Sequence, residues 1–192
     1  MVNVDEVPLD EPLRVIVGAG DQAYPGWIST GKKQLDLIRS EDWSESFGSR
    51  LVDTFLAEHV WEHLTEAEGR RAASLCYRYL KPGGVLRCAV PDANFPDEAY
   101  QRSVQVGGPG PVDHPAVDRK IVYDYRRFRD VFVSAGFEVD LLEYCDGEGR
   151  FHHCRWDPSD GPIYRSLLSD HWNKEGRLGF VSIVLDARKP LA

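Results

Sequence analysis

Runs of apolar residues recur along the chain, each bounded by polar or glycine-rich sequence. The runs are four to eight residues long or alternate with polar positions, which is typical of strands in a sheet that is covered on both faces. Five strands are predicted in this way: 13–17 "LRVIV", 51–57 "LVDTFLA", 85–90 "VLRCAV", "FEVDLLEY" after Gly136, and "GFVSIVLDARK" near the C-terminus.

Two segments have helical periodicity instead. Thr65 with Glu68 three positions later forms a capping box, and a helix should begin there. Its apolar face is predicted to consist of Ala72, Leu75, Cys76, Tyr79 and Leu80. The sequence "KPGG" should end this helix. Asp124 can cap a second helix, which Gly136 should end.

Strands that alternate with helices favour an α/β fold with a parallel sheet. The last two strands have no clear helix between them, so we expect them to pair antiparallel and make the sheet mixed. With 192 residues the chain should form a single domain, preceded by a tail at 1–12. The polar, aromatic-rich segment at 145–178 is expected to be a lid or an interface.

Composition narrows the functional classes. The formal net charge of −8 argues against nucleic-acid binding, which depends on clustered Lys and Arg. No run of 18 apolar residues is present, so no membrane span is expected. The acidic N-terminus lacks a signal-peptide core. Four widely spaced cysteines are most simply free thiols, so we expect a cytoplasmic protein.

The stretch "VIVGAGDQAYPGW" places Gly18 and Gly20 directly after the first predicted strand, where ligands bind in α/β sheets. A dinucleotide pyrophosphate needs a helix N-terminus after the glycines, but Pro25-Gly26 leaves little room for one. S-adenosylmethionine has no phosphate and does not need that helix. The break therefore favours S-adenosylmethionine over NAD, although a tight turn without a ligand is also consistent with the glycines.

The chain resembles class I S-adenosylmethionine-dependent methyltransferases, and more narrowly a compact bacterial group of them. The resemblance lies in "VGAGDQAYPGWIS", "AEHVWEHL", "YRYLKPGGVLRCAVPD", "GGPGPVDHP", "FVSAGFEVDLLEY" and "RFHHCRWDPSDGPIYRSLLSDHWN". It implies a Rossmann-like, mostly parallel sheet of seven strands with one antiparallel strand and a shortened region after the first strand. It also implies S-adenosylmethionine as the cofactor. The matching cofactor positions are Gly18, Ala19, Gly20, Asp36, Leu37, Ala57, Glu58 and His59.

One position departs from this group. Its members typically read "G-W-I-N-x-D", and the final carboxylate is placed for the ribose hydroxyls. Here the stretch is "GWISTG", which puts Gly31 at that position. Charge-assisted hydrogen bonds of this kind contribute about 1–3 kcal/mol. Either the cofactor is bound loosely, or the chain is a non-catalytic binding or assembly subunit.

Other polar clusters suggest further chemistry. Asp113 and His114 in "GPGPVDHP" could act as a catalytic base pair, or His114 could be structural. His59 and His63 have the i, i+4 spacing of metal ligands, but no third ligand is evident, so we expect no metal site. We expect His63 to pack under the sheet edge.

The acceptor is expected to be a small molecule or glycan precursor. Arg155, Trp156 and Arg165 would suit an anionic or sugar-like acceptor, or alternatively a homodimer face.

Overall fold

The structure, a computed structural model, describes residues 4–109, 115–174 and 176–191. The chain alternates strands and helices over most of its length. Its strands are β1 (Arg14–Val17), β2 (Ile28–Thr30), β3 (Val52–Glu58), β4 (Leu80–Pro91), β5 (Glu138–Cys145), β6 (Phe151–His153) and β7 (Ser182–Arg188). Its α-helices are α1 (Ser40–Phe47), α2 (Glu66–Tyr79), α3 (Glu98–Val104) and α4 (Tyr125–Val133).

The strands form one seven-stranded sheet in the order β2-β1-β3-β4-β7-β5-β6. Strands β2, β1, β3 and β4 are parallel. Strand β7 runs antiparallel to both β4 and β5, and β6 runs antiparallel to β5. The mixed α/β sheet is therefore confirmed. It contains two reversed strands rather than one, because the short strand β6 pairs with β5 at the edge of the sheet.

Helix α2 begins as the sequence predicts. The Thr65 side chain accepts a hydrogen bond from the Glu68 N–H, and the Glu68 carboxylate accepts one from the Thr65 N–H. The helix ends at Tyr79, and Leu80 already belongs to β4, where it pairs with Val52 of β3. Strand β4 thus begins five residues earlier than predicted, and "KPGG" lies within it.

One face of the sheet is covered by helices. Residues at alternate strand positions, such as Val15, Phe55 and Leu86, lie in one large buried cluster. The helices contribute large side chains to the same cluster: Trp43 and Phe47 of α1, Ala72, Leu75 and Cys76 of α2, and Phe128, Val131 and Phe132 of α4. Burial of this apolar area is the main stabilising term for the fold.

The opposite face is covered differently. Ile16, Leu56 and Val184 pack there against Ile163 and the partly buried Trp156. None of the described residues in this cluster belongs to an α-helix. The chain from 154 to 163 therefore covers the face that lacks helices.

Within the described residues, no helix is long and apolar enough to cross a bilayer. The four cysteines are free thiols, and all but Cys154 are buried. Burial raises the pKa of the Cys145 thiol to about 12. The buried thiols thus behave as apolar side chains of the core.

Candidate functional site

The chain between β1 and β2 contains no helix. Gly18 and Gly20 have positive φ angles of 64° and 54° and turn the chain at the end of β1. The Ala19 N–H donates to the Thr30 carbonyl at 2.8 Å, so the loop is tied directly to β2. The predicted shortening after the first strand is present, and residues 18–27 contain no helix whose N-terminus could hold a pyrophosphate.

A cavity of about 550 Å³ lies at the carboxyl ends of β1 and β3, beside the N-terminus of α2. This is the edge at which α/β sheets bind ligands. Its lining combines apolar side chains with several charged ones: Gly18, Lys32, Leu35, Asp36, Leu37, Ile38, His59, Val60, His63, Leu64, Glu68, Asp118 and Lys120.

Four predicted cofactor residues come together in this cavity: Gly18, Asp36, Leu37 and His59. The other four are absent from its lining. Ala19 is buried in the cluster on the face without helices, Ala57 is buried under the helices, and Gly20 is exposed. His63 lines the cavity as well, whereas we expected it to pack under the sheet edge.

Glycine is required at position 18 because of packing against Val60 and a positive φ angle. A Cβ atom there would lie 2.7 Å from a methyl carbon of Val60, which is closer than real Cβ atoms approach. The positive φ angle adds to the strain that any other residue would have. Val60 and Gly18 thus form one packed wall of the cavity.

Gly31 follows β2 directly, at the position where the resembling group has a carboxylate. Its N–H donates to the Gln34 side chain at 2.7 Å. The same Gln34 oxygen, 3.4 Å away, is the nearest atom that an added Cβ would meet. A Cβ atom therefore fits at position 31. Farther along this turn, the Asp36 carboxylate accepts a hydrogen bond from the Ile38 N–H at 3.2 Å.

Glu58 is buried and fully engaged by other parts of the chain. Its carboxylate accepts hydrogen bonds from the backbone N–H groups of Tyr164 and Arg165, at 3.0 and 2.6 Å. The Gln22 side-chain amide donates a third bond at 2.5 Å. Burial, with a smaller effect from the Glu58 charge, raises the pKa of the neighbouring Tyr24. Glu58 therefore fastens residues 164–165 to the end of β3.

His59, the next residue, turns into the cavity. Its φ angle is +57°, and it is the one non-glycine residue with a positive φ in the described part of the chain. Its Nδ1 lies 3.1 Å from a carboxylate oxygen of Glu62, and its Nε2 lies 3.3 Å from the Ser182 hydroxyl. The His59 residue therefore lines the cavity, and its ring contacts the buried side chains of Glu62 and Ser182.

The rim of the cavity beside α2 is charged. Hydrogen bonds from the N–H and hydroxyl of Thr65 lower the pKa of Glu68, and Lys120 lies 3.3 Å from the same carboxylate. Lys32 on the other side of the cavity is exposed. The rim therefore carries charged groups of both signs, Glu68 and the two lysines.

Asp92 lies at the carboxyl end of β4, outside the cavity lining, and is fully buried. Burial raises the pKa of its carboxyl to about 6, although the N–H groups of Cys145 and Asn94 donate to it. The predicted catalytic pair, Asp113 and His114, lies outside the described residues. Among those that the structure describes, no group of three potential metal ligands occurs.

Two side chains of the segment at 145–178, those of Trp156 and Arg165, are engaged within the fold. The Trp156 N–H donates to Glu143 at 2.9 Å, and its ring lies under the Arg87 guanidinium. Arg165 forms an ion pair with the buried Asp170 at 2.9 Å. Trp156 and Arg165 are both absent from the cavity lining.

The sequence matches no protein-family model and no curated protein. Solved structures are similar in fold. A SAM-dependent methyltransferase from Archaeoglobus fulgidus aligns with a TM-score of 0.53 at 13% identity, over 93% of this chain and 86% of that one. The CurJ carbon methyltransferase aligns with a TM-score of 0.52 at 14% identity, over 97% of this chain and 50% of that one.

An O-methyltransferase family protein from Burkholderia thailandensis gives a TM-score of 0.50 at 12% identity, over 86% of this chain. The match spans only 36% of that protein. At such low identities these similarities concern the fold alone. The chain has the fold of class I S-adenosylmethionine-dependent methyltransferases.

Proposed function

We propose that the protein is an S-adenosylmethionine-dependent methyltransferase that acts on a small molecule or glycan precursor. The observation that carries this proposal is the cavity at the carboxyl ends of β1 and β3, lined by Gly18, Asp36, Leu37 and His59. These positions match the cofactor positions of the resembling group, and they lie at the ligand-binding edge of the same fold.

The cavity residues fit this cofactor. When bound, S-adenosylmethionine supplies an electrophilic methyl group. The volume of about 550 Å³ lies in the usual range for sites of small ligands and cofactors. Leu37 offers an apolar contact for adenine, and Asp36 a carboxylate on the same turn. The main contribution of the protein would be to orient the acceptor in line with the methyl group.

NAD fits less well. A pyrophosphate is held by the N-terminus of a helix that follows the glycines, and residues 18–27 contain no helix. A non-catalytic binding or assembly subunit is the second candidate. It is favoured by Gly31, which supplies no carboxylate for the ribose hydroxyls.

The acceptor side of the site stays a prediction from the sequence. Asp113 and His114 are the base pair predicted there, and a base is needed only if the acceptor must lose a proton. The exposed side chains of Tyr164, Leu168 and Trp172 are compatible with a homodimer face or a contact with a sugar-like acceptor.

Isothermal titration calorimetry tests the proposal. We expect S-adenosylhomocysteine to bind with a Kd on the order of micromolar, which corresponds to about −8 kcal/mol, and NAD to give no heat of binding. NAD binding with no response to S-adenosylhomocysteine would favour an oxidoreductase. If neither compound binds up to about millimolar concentration, both cofactor proposals fail.

A further inference from the structure

His59 has an uncommon backbone conformation. A φ angle of +57° is rare for residues other than glycine, and such residues cluster at functional sites. The conformation is held in place because the His59 N–H donates to the Ala89 carbonyl at 2.8 Å. Immediately before it, Glu58 is fixed by three hydrogen bonds. The strained backbone directs the imidazole ring into the cavity.

Glu62 is the second unusual group. Its side chain is 1% exposed, and neither carboxylate oxygen has a well-aligned hydrogen-bond donor among the described residues. A buried carboxylate without a partner is costly. The ring of His59 is the nearby group, since its Nδ1 lies 3.1 Å from one oxygen, within ion-pair distance but without the alignment of a hydrogen bond. The pair is therefore a histidine in the cavity backed by a carboxylate that solvent does not reach.

The other ring nitrogen is aligned with a hydroxyl. Ser182 begins β7, which is antiparallel to β4, so its side chain lies at the same edge of the sheet. Its Oγ is 3.3 Å from Nε2 of His59, a long contact for a hydroxyl donor. If Nδ1 carries the proton and faces Glu62, Nε2 has a free electron pair, and a stronger donor in the cavity can replace Ser182.

We propose that His59, instead of the His114 predicted from the sequence, is the general base of the methyl transfer, that Glu62 is its positioning residue, and that the acceptor group is a hydroxyl. This inference rests on the proposed methyltransferase function. The acceptor oxygen bonds to the methyl carbon, and the sulfur–carbon bond breaks with its electron pair left on sulfur. The hydroxyl proton passes to Nε2 of His59. Glu62 holds the Nδ1–H and stabilises the imidazolium that forms, as carboxylates do beside catalytic histidines.

The tautomer of His59 tests this assignment without knowledge of the acceptor. Long-range proton–nitrogen NMR of the nitrogen-15-labelled full chain distinguishes a protonated ring nitrogen from a free one, because the free nitrogen resonates far downfield. In the neutral ring of His59 we expect the proton on Nδ1, with Nε2 free, both alone and saturated with S-adenosylhomocysteine. The imidazole signals that disappear in the His59→Gln variant are those of His59.

Substitutions of Glu62 test whether its carboxylate holds the proton on Nδ1 of the His59 ring. Glu62→Ala should move the proton to Nε2, whereas Glu62→Gln, which keeps an acceptor oxygen, should retain it on Nδ1. His63→Gln, in the same cavity, is the matched control and should leave the His59 signals unchanged. If Glu62→Ala does not fold, the wild-type tautomer still decides.

A proton on Nε2 in the neutral ring of the wild type would overturn the assignment. If S-adenosylhomocysteine binds and Nε2 is protonated, only the base assignment fails. If Nδ1 is protonated as expected but S-adenosylhomocysteine does not bind, the methyltransferase function fails, and the base role fails with it.

Discussion

The two ends of the cavity are constructed in different ways. At the β3 end (residues 58–62), Glu58 and His59 are held by buried hydrogen bonds and strained backbone, and Glu62 is fully buried. At the β2 end (residues 31–38), Lys32 is exposed and Gly31 carries no side chain. The side chains of His59 and Glu62 are thus held at the end proposed for the reacting atoms, whereas the end proposed for ribose and adenine is held by hydrogen bonds of its own turn and has no carboxylate at position 31. The rate of methyl transfer depends on the orientation of the reacting groups at the β3 end. A weaker contact at the β2 end lowers only the affinity for the cofactor.

The largest expected effect concerns the β3 end. Glu58→Ala should lower the free energy of unfolding by roughly 2–4 kcal/mol, because it leaves the N–H groups of Tyr164 and Arg165 without their acceptor. Denaturant unfolding followed by circular dichroism measures it. Lys33→Ala, at an exposed position near the β2 end, is the control and should change stability by less than about 0.5 kcal/mol. Equal effects of the two variants would remove the distinction between the two ends.

Asp36→Ala should weaken S-adenosylhomocysteine binding by about tenfold, which is about 1.4 kcal/mol. The carboxylate lines the cavity, so its loss removes a polar contact with the adenosine part. Calorimetry on the folded variant measures the change. Unchanged affinity would refute the assignment of Asp36 to the cofactor.

The smallest expected effect is a gain in affinity for S-adenosylhomocysteine. Gly31→Asp should tighten S-adenosylhomocysteine binding by about fivefold to tenfold, since a carboxylate at this position can accept hydrogen bonds from both ribose hydroxyls. The Cβ atom has room there, since it would lie 3.4 Å from the Gln34 side-chain oxygen. Gly31→Asn has nearly the same size without the charge and should gain less. If both variants bind more weakly than the wild type, Gly31 is not at the ribose position.

Much of the fold can be predicted from local sequence. The buried runs of β1, β3 and β7 and the capping box of α2 depend on neighbouring residues, and each is found where the pattern places it. Strand β6 and the early start of β4 could not be predicted. The early start of β4 depends on pairing with a distant strand, since Leu80 pairs with Val52. Strand β6 pairs with its neighbour β5, but its three residues, Phe-His-His, form no apolar run that would indicate a strand.

The site could be predicted only in part, for a similar reason. Gly18, Asp36, Leu37 and His59 follow strand ends that meet at one edge, and they line one cavity. Their role in binding the cofactor stays a prediction. Glu58 precedes His59 but lies on the same face of the sheet as Leu56, away from the cavity. Its partners, Tyr164 and Arg165, are more than 100 residues later in the chain. Side-chain alternation in a strand indicates the face, but the contact across the fold has no local signal.

S-adenosylmethionine is proposed to bind in this cavity. Amide chemical-shift mapping of the nitrogen-15-labelled chain during titration with S-adenosylhomocysteine shows where the ligand binds. We predict saturable shifts confined to the cavity, at Gly18, Asp36, Leu37, His59 and their neighbours, with little change at Trp156 and Ile163 on the opposite face of the sheet. Shifts centred on Trp156 and Ile163, or no saturable shifts at all, would contradict the account.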